Sequence, residues 1–147
     1  MCGIVGYAGP LNGQMTSRPV DVVLGGLTRL EYRGYDSAGV AVLGTDAVDV
    51  YKRAGKIANL KEAVAGQEEH ESAVAIGHTR WATHGGPTNE NAHPHRGGKD
   101  GKLALVHNGI IENFAPLKKE LLDEGYEFHS ETCLLYTSDA ADEEDSV

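Results

Sequence analysis

The residue with the clearest capacity for chemistry is Cys2, which follows the initiator methionine and precedes Gly3-Ile4-Val5-Gly6. If Met1 is removed, as a small second residue permits, Cys2 carries a thiol and a free α-amine a few atoms apart. The pKa of an α-amine is about 8, so part of it is unprotonated at neutral pH and can accept the thiol proton. The resulting thiolate is a nucleophile. Position alone also fits a buried cysteine at the start of an apolar strand.

A dense polar cluster, 78–85, follows the apolar run Ala73–Ile76. Its Arg80 offers a planar set of donors suited to a carboxylate, and the hydroxyl of Thr83 adds another. These side chains indicate a carboxylate-binding corner. The alternative is that Arg80 forms a structural ion pair while Trp81 lies in the core.

A second polar cluster, His107-Asn108-Gly109, follows the apolar run Leu103–Val106. An asparagine amide and a glycine that allows close approach to a backbone N–H are the components of an oxyanion hole. Asn-Gly is also a common turn dipeptide. Because Ile110 and Ile111 lead directly towards a helix, the context disfavours a simple hairpin turn.

The chain has seven histidines, which raises the possibility of a metal site built from His78, His84, His93, His95 and Cys2. Their spacing matches no zinc pattern, because the sequence has neither C-x-x-C nor H-E-x-x-H. The sequence also lacks G-x-G-x-x-G, the dinucleotide fingerprint. We therefore expect neither a metal nor a cofactor.

The composition is that of a globular protein: 147 residues, 40% hydrophobic and 24% charged, with a net charge of −9. This charge argues against nucleic-acid binding, which requires a basic face. No apolar run is long enough to span a membrane, and the N-terminus does not resemble a signal peptide. Two cysteines are too few for a disulfide framework, and a nucleophilic thiol suits a reducing compartment. A cytoplasmic enzyme fits these features best.

Apolar spacing predicts the elements that position these clusters. Strands are expected at 2–8, 40–43, 48–51, 73–76 and 103–106, with 40–43 and 48–51 forming a hairpin and the last two strands buried. Helices are expected from Pro19 to about 30, from Ile57 to near Gly66 and from about Phe114 to Gly125. The segment 85–101, rich in Gly, Pro, Asn and His, is expected to be a long ordered loop.

Taken together, these motifs resemble those of the glutamine–fructose-6-phosphate aminotransferases, in the N-terminal glutaminase domain. That domain is a class II amidotransferase of the N-terminal-nucleophile hydrolase fold. The resemblance covers 2 to about 132 and lies in five segments: 2–6, 30–39, 78–85, 91–95 and 107–113. It implies an α+β fold, a four-layer αββα sandwich in which two antiparallel sheets pack face to face between helix layers.

The resemblance also implies roles for individual residues. Cys2 would attack the side-chain amide of glutamine, its own α-amine would move the proton, and a thioester would form as ammonia leaves. Asn108 and the backbone N–H of Gly109 would stabilise the oxyanion. Arg80, with Thr83 and the backbone of His84, would hold the α-carboxylate of glutamine.

Two further residues would support the site. Arg33 lies in a family motif near the nucleophile, and Trp81 belongs to the region that gates ammonia transfer. The intact parent would be a homo-oligomer. It would pass ammonia to fructose-6-phosphate, bound by isomerase domains outside this chain, and so make glucosamine-6-phosphate.

The resemblance ends after Ser130-Glu131-Thr132. There the family has an aspartate that binds the α-amino group of glutamine, whereas this chain has Cys133. We therefore predict a partial glutaminase domain at 2–132, incomplete at its C-terminus, followed by a tail at 133–147 that resembles translated vector or adapter sequence. An incomplete domain should expose apolar sheet faces, and we expect no glutaminase turnover from the chain as given.

Two other functions remain open. The chain could belong to a class II amidotransferase with a different acceptor, which the residues after Thr132 in the intact gene would show. It could also be a regulatory module of the same fold that has lost catalysis. The joint presence of Cys2, Arg80, Asn108 and Gly109 argues against such a module.

Overall fold

The computed structural model describes residues 1–9, 17–44, 46–67, 72–98 and 100–131. Within these residues four antiparallel strands form one sheet in the order β1-β4-β2-β3. The strands are β1 (Gly3–Ala8), β2 (Ser37–Leu43), β3 (Val48–Ala54) and β4 (Val74–Arg80). The predicted first strand and the predicted hairpin are confirmed, and the hairpin strands extend beyond the apolar runs that indicated them.

The register of this sheet brings three chain segments to one end of it. Gly3 at the start of β1 is opposite Thr79 on β4, and Ser37 at the start of β2 is opposite Arg80. Because β1 and β2 both run antiparallel to β4, their first residues meet its last residues. Cys2 therefore lies beside the point where the chain leaves β4.

Two helices cover one face of the sheet: α1 (Pro19–Arg29) and α2 (Ile57–Ala65). Both were predicted from their apolar spacing. Most of the periodic residues become buried, whereas Val20, Leu30 and Ala63 are half-buried. The main core is formed by Val23, Leu24, Leu27, Ala38, Val40, Val42, Ile57, Leu60, Val64 and Ala75. Proline suits the first turn of α1 because the N–H that it lacks has no acceptor within the helix. A single turn of 3-10 helix, Glu31–Arg33, follows α1.

Helix α1 approaches the sheet closely at Gly77. A Cβ at this position would lie 2.4 Å from Cγ1 of Val23 and 2.9 Å from Cδ1 of Leu27. On the opposite face, a Cβ on Gly39 would lie 2.4 Å from the carbonyl oxygen of His93. Glycine at these two positions allows the layers on both sides to pack against the backbone of the sheet.

The layer on that opposite face contains a two-stranded sheet of β5 (His95–Gly97) and β6 (Leu103–Leu105). The structure corrects the sequence prediction in three respects. Strand β4 begins at Val74, which is exposed, and continues to Arg80, so the first three residues of the polar cluster 78–85 lie in the strand and not after it. The segment 85–101 contains strand β5 and is not entirely loop. Strand β6 is half-buried and not fully buried, because it pairs only with the short strand β5 among the described residues.

Helix α3 (Phe114–Asp123) starts where predicted and builds a smaller apolar cluster. Leu121 is its buried residue, packed against Ile111, Phe114, Tyr126 and Phe128. Leu122, the next residue of the helix, is exposed. No helix in the described part of the chain is both long enough and apolar enough to cross a membrane.

Part of the sheet face that carries β5 and β6 remains open. The register places Ile4 and Val74 on the same face as His78, and these two apolar side chains are 62% and 38% exposed. Leu43, at the end of β2, is also exposed. Among the described residues, no part of the chain covers these three side chains fully. The predicted tail at 133–147 lies outside the described residues.

Candidate functional site

The sulfur of Cys2 accepts two hydrogen bonds from different parts of the chain. The side-chain amide of Asn108 donates through Nδ2 at 2.9 Å, and the backbone N–H of Trp81 donates at an N···Sγ distance of 3.4 Å. Asn108 follows β6 and Trp81 follows β4, so both predicted polar clusters reach the same atom. Two N–H donors thus converge on the sulfur of Cys2.

The amide of Asn108 is held in one orientation. Its Nδ2 also donates to the carbonyl oxygen of Trp81 at 2.8 Å, while its Oδ1 accepts a bond from Oγ1 of Thr83 at 3.2 Å. An amide flipped by 180° would place its oxygen against the carbonyl oxygen of Trp81, which has no proton to donate. The network therefore fixes the NH₂ group towards Cys2.

The α-amine of the chain lies beside the same site. Met1 is 68% exposed, and its ammonium donates to the carbonyl oxygens of Arg33 and Gly34, each at 3.1 Å. The Nη2 of Arg33 also lies 3.8 Å from the sulfur of Met1. Arg33, predicted as a supporting residue, thus contacts the N-terminus through its carbonyl group. While Met1 is present, the nitrogen of Cys2 is an amide and cannot act as a base.

Arg80 has a different environment from the one its predicted role suggests. It has no exposed surface, and its guanidinium donates to the carbonyl oxygens of His84, Gly85 and Gly86, the last two at 3.1 Å. These bonds shape the chain after β4. The Nε of Arg80 is buried and has no hydrogen-bond partner among the residues that the structure describes. Burial lowers the pKa of Arg80, while the negative charges of Asp36 and Cys2 oppose that shift.

Asp36 is a site residue that the sequence reasoning did not single out. Its Oδ2 accepts a hydrogen bond from the backbone N–H of Ala82, next to the Trp81 amide that faces Cys2. Its Oδ1 accepts a bond from the hydroxyl of Ser37 at 3.0 Å. The only sign of this role in the sequence is an aspartate directly before strand β2, and nothing in the neighbouring sequence indicates which group its carboxylate would bind.

The remaining predicted residues surround this network at different distances. Trp81 is 54% exposed, and its ring lies 3.3 Å from where a Cβ on Gly34 would stand. The ring of His84 packs edge-on against Phe114, with centroids 5.9 Å apart. Gly109 is half-buried behind Asn108, and the ring of His107 occupies the space a side chain would need.

A group of buried histidines lies behind the site, between the two sheets. His78, His93 and His95 are 1–2% exposed, and the Nδ1 atoms of His78 and His93 are 3.2 Å apart. One of these nitrogens donates and the other accepts, so the accepting ring is neutral. Burial lowers the pKa of His78 to about 4, that of His95 to about 3 and that of His93 to about 2, and the positive charge of Arg80 adds to each shift.

The structure does not assemble these residues into a metal centre. Among residues 1–9, 17–44, 46–67, 72–98 and 100–131, no group of three or more His, Cys, Asp or Glu side chains has an arrangement that could hold a metal ion.

Comparison with known proteins gives a consistent set of relatives. The chain is 58% identical over 132 residues to a glutamine–fructose-6-phosphate aminotransferase (isomerizing) of Streptomyces coelicolor, covering 90% of this chain and 20% of that protein. It is also 58% identical over 138 residues to the enzyme of that name from Corynebacterium diphtheriae, covering 90% of this chain and 21% of that protein. The chain thus spans about a fifth of the length of these relatives. No family model matches it.

A solved structure shows the same fold. The glutamine phosphoribosylpyrophosphate amidotransferase from B. subtilis superimposes with a TM-score of 0.63 at 28% identity, over 88% of this chain and 26% of that one. The fold is therefore of the N-terminal-nucleophile hydrolase type, as expected. Over its aligned residues, the chain belongs to the N-terminal region of the glutamine–fructose-6-phosphate aminotransferase family.

Proposed function

We propose that this chain supplies the nucleophile, Cys2, and the oxyanion donors of a site at which the whole protein hydrolyses glutamine. The observation that carries the proposal is the pair of donors, Asn108 Nδ2 and Trp81 N, directed at the sulfur of Cys2. The relatives are named as proteins that use glutamine, which agrees with this chemistry. A structural cysteine at the start of a strand needs no such donors.

The reaction begins once Met1 has been removed. The α-amine of Cys2 takes the proton of the thiol, and the sulfur attacks the side-chain amide carbon of glutamine. The carbonyl oxygen becomes an oxyanion, which accepts hydrogen bonds from Asn108 Nδ2 and the N–H of Gly109. As the tetrahedral intermediate collapses, the C–N bond breaks and the protonated amine of Cys2 gives its proton to the leaving nitrogen, which departs as ammonia.

The second half of the reaction releases glutamate. The α-amine of Cys2, now neutral, takes a proton from water, and the resulting hydroxide attacks the thioester carbon. The same donors stabilise the second oxyanion. The C–S bond breaks and the thiol of Cys2 regains its proton, so the site returns to its initial state.

For recognition of the glutamine α-carboxylate we propose Arg80, Thr83 and the backbone of His84. Because Arg80 has no exposed surface in this structure, a carboxylate would reach its buried, unpartnered Nε only if the chain at 84–86 moved away from the guanidinium. The bonds from Arg80 to the carbonyls of 84–86 hold the loop that carries His84 close to Cys2. Trp81, largely exposed beside the nucleophile, would line the path by which ammonia leaves.

The whole protein would then transfer ammonia to fructose-6-phosphate and form glucosamine-6-phosphate, as the names of its relatives suggest. The acceptor would bind to parts of the protein outside the fifth that this chain covers. We also propose that the whole protein is a cytoplasmic homo-oligomer.

The test uses a chimaera in which residues 1–131 of this chain replace the corresponding region of the Streptomyces coelicolor aminotransferase. Intact mass first establishes that Met1 has been removed, because a retained Met1 blocks the amine. We expect Cys2→Ala to abolish glutamine hydrolysis while fructose-6-phosphate binding stays unchanged. Continued release of ammonia from glutamine by the Cys2→Ala variant would refute the proposal.

A further inference from the structure

Asp36 is fixed in place by its backbone, independently of its side chain. Its N–H donates to the carbonyl oxygen of Arg80 at 2.8 Å, and its own carbonyl oxygen accepts a bond from the N–H of Gly55 at 2.7 Å. These bonds join the segment before β2 to the end of β4 and to the residue after β3. The carboxylate therefore has a defined position from which to act on its surroundings.

That carboxylate meets the chain where it turns away from the sheet. Oδ2 accepts the N–H of Ala82, and Oδ1 accepts the hydroxyl of Ser37 at 3.0 Å. Two consecutive backbone N–H groups thus have acceptors on different sides: Trp81 N–H faces the sulfur of Cys2, and Ala82 N–H faces Asp36. Fixing the peptide plane of Ala82 restricts ψ of Trp81 and with it the orientation of the preceding amide.

The charge of Asp36 also matters to its neighbour. The guanidinium of Arg80 is fully buried, and its described hydrogen bonds go to carbonyl groups, which are neutral. Asp36 supplies a negative charge close enough to favour the charged form of Arg80. A buried cation without such a partner would be costly.

We propose that Asp36 is a positioning residue for the nucleophile: its carboxylate holds the Trp81–Ala82 turn so that the N–H of Trp81 donates to Cys2 Sγ. Asp36 itself touches neither Cys2 nor the substrate. This inference rests on the proposed role of Cys2, because orientation of a donor towards sulfur matters only if the sulfur reacts.

The experiment measures the reactivity of Cys2 in the 147-residue chain, with Cys133→Ser in every variant so that only Cys2 is read. Iodoacetamide is the probe. The alkylation rate is followed by intact mass over a pH range of about 5 to 9. Loss of a hydrogen bond to an ionised group should reduce the rate at neutral pH by about tenfold in Asp36→Ala and move the profile to higher pH. Asp36→Asn keeps an oxygen for Ala82, so its rate should lie within about threefold of the parent.

Asp21→Ala is the matched control, because Asp21 also accepts side-chain hydrogen bonds, from Arg18, but lies on α1 away from the site. Its profile should equal that of the parent. If Asp36→Ala loses its far-UV dichroism, Asp36→Glu replaces it, since the extra methylene displaces the oxygens while the charge stays. This variant should show the same shift to higher pH.

An unshifted profile in Asp36→Ala, or in Asp36→Glu where that replaces it, overturns the inference. So does an Asp36→Asn variant as slow as Asp36→Ala, which would assign the effect to charge and not to the hydrogen bond. Failure of the proposed function would look different: Cys2 of the parent chain would then react no faster than a cysteine in the urea-unfolded chain.

Discussion

Asn108 offers a quantitative test of the proposed oxyanion hole. Its Nδ2 donates to Cys2 Sγ at 2.9 Å and is kept in that orientation by the carbonyl of Trp81 at 2.8 Å and the hydroxyl of Thr83 at 3.2 Å. A donor that is already oriented needs no rearrangement when the oxyanion forms, so its full electrostatic contribution is available. Removing one such donor costs about 3–4 kcal/mol, or about 100- to 1,000-fold in kcat. We expect that loss for Asn108→Ala.

A second substitution keeps the Asn108 amide but removes one of the hydrogen bonds that orient it. Thr83→Val removes the hydroxyl that donates to Oδ1 of Asn108, one neutral hydrogen bond of about 1 kcal/mol, so kcat should fall by about fivefold, while loss of the proposed contact with the α-carboxylate should raise KM. Both variants are assayed in the chimaera for glutamate formation, with ammonium-dependent amination of fructose-6-phosphate as the control for an intact acceptor region. A kcat for Asn108→Ala within about threefold of the parent, with that control unchanged, would refute the reasoning.

Two further predictions concern stability and are tested by urea unfolding of the chain. Burial lowers the pKa of His78, His93 and His95 to about 4, 2 and 3, so these side chains stay neutral in the folded chain. In the unfolded chain a histidine has a pKa of about 6.5, so below that pH the unfolded state binds more protons than the folded state. Each histidine should therefore lower the free energy of unfolding by about 2 kcal/mol at a pH of about 5. The urea midpoint should be lower at a pH of about 5 than at a pH of about 7.5, and the decrease should be smaller in His78→Gln. A urea midpoint that does not change with pH would contradict this. Gly77→Ala should lower the free energy of unfolding by about 1–3 kcal/mol, because the added methyl group overpacks the contact with α1. Gly6→Ala is the control, since a Cβ there meets nothing within 4 Å and should not destabilise the chain. Equal urea midpoints for the two variants would contradict this.

Much of the fold could be predicted because its elements have strong local patterns. The spacing of Val23, Leu24 and Leu27 identified α1, and two short apolar runs joined by turn residues identified the β2–β3 hairpin. Strand β5 could not be found in this way, because its three residues carry no apolar repeat. It exists through pairing with β6, a tertiary contact that local sequence does not encode.

In the candidate site, too, some residues could be identified from the sequence and others only from tertiary contacts. Cys2 and Asn108 were recognisable because their residue types and positions are unusual, and the structure brings them within hydrogen-bonding distance. Asp36 was missed because its partner is a backbone amide 46 residues away, and such contacts leave no mark in the spacing of residue types. The surroundings of Arg80 were also not predictable, since the backbone carbonyls that it binds are present in every sequence.

The nucleophile can be identified by trapping the covalent intermediate. The chimaera, with loss of Met1 established by mass, is mixed with glutamine, quenched in acid and digested, and the N-terminal peptide is analysed by mass spectrometry. A γ-glutamyl group on Cys2 that hydroxylamine removes, and that is missing in Cys2→Ala, is the expected result. Glutamine hydrolysis that proceeds while Cys2 stays unmodified, or an acyl group found on another residue, would contradict the assignment of Cys2 as the nucleophile.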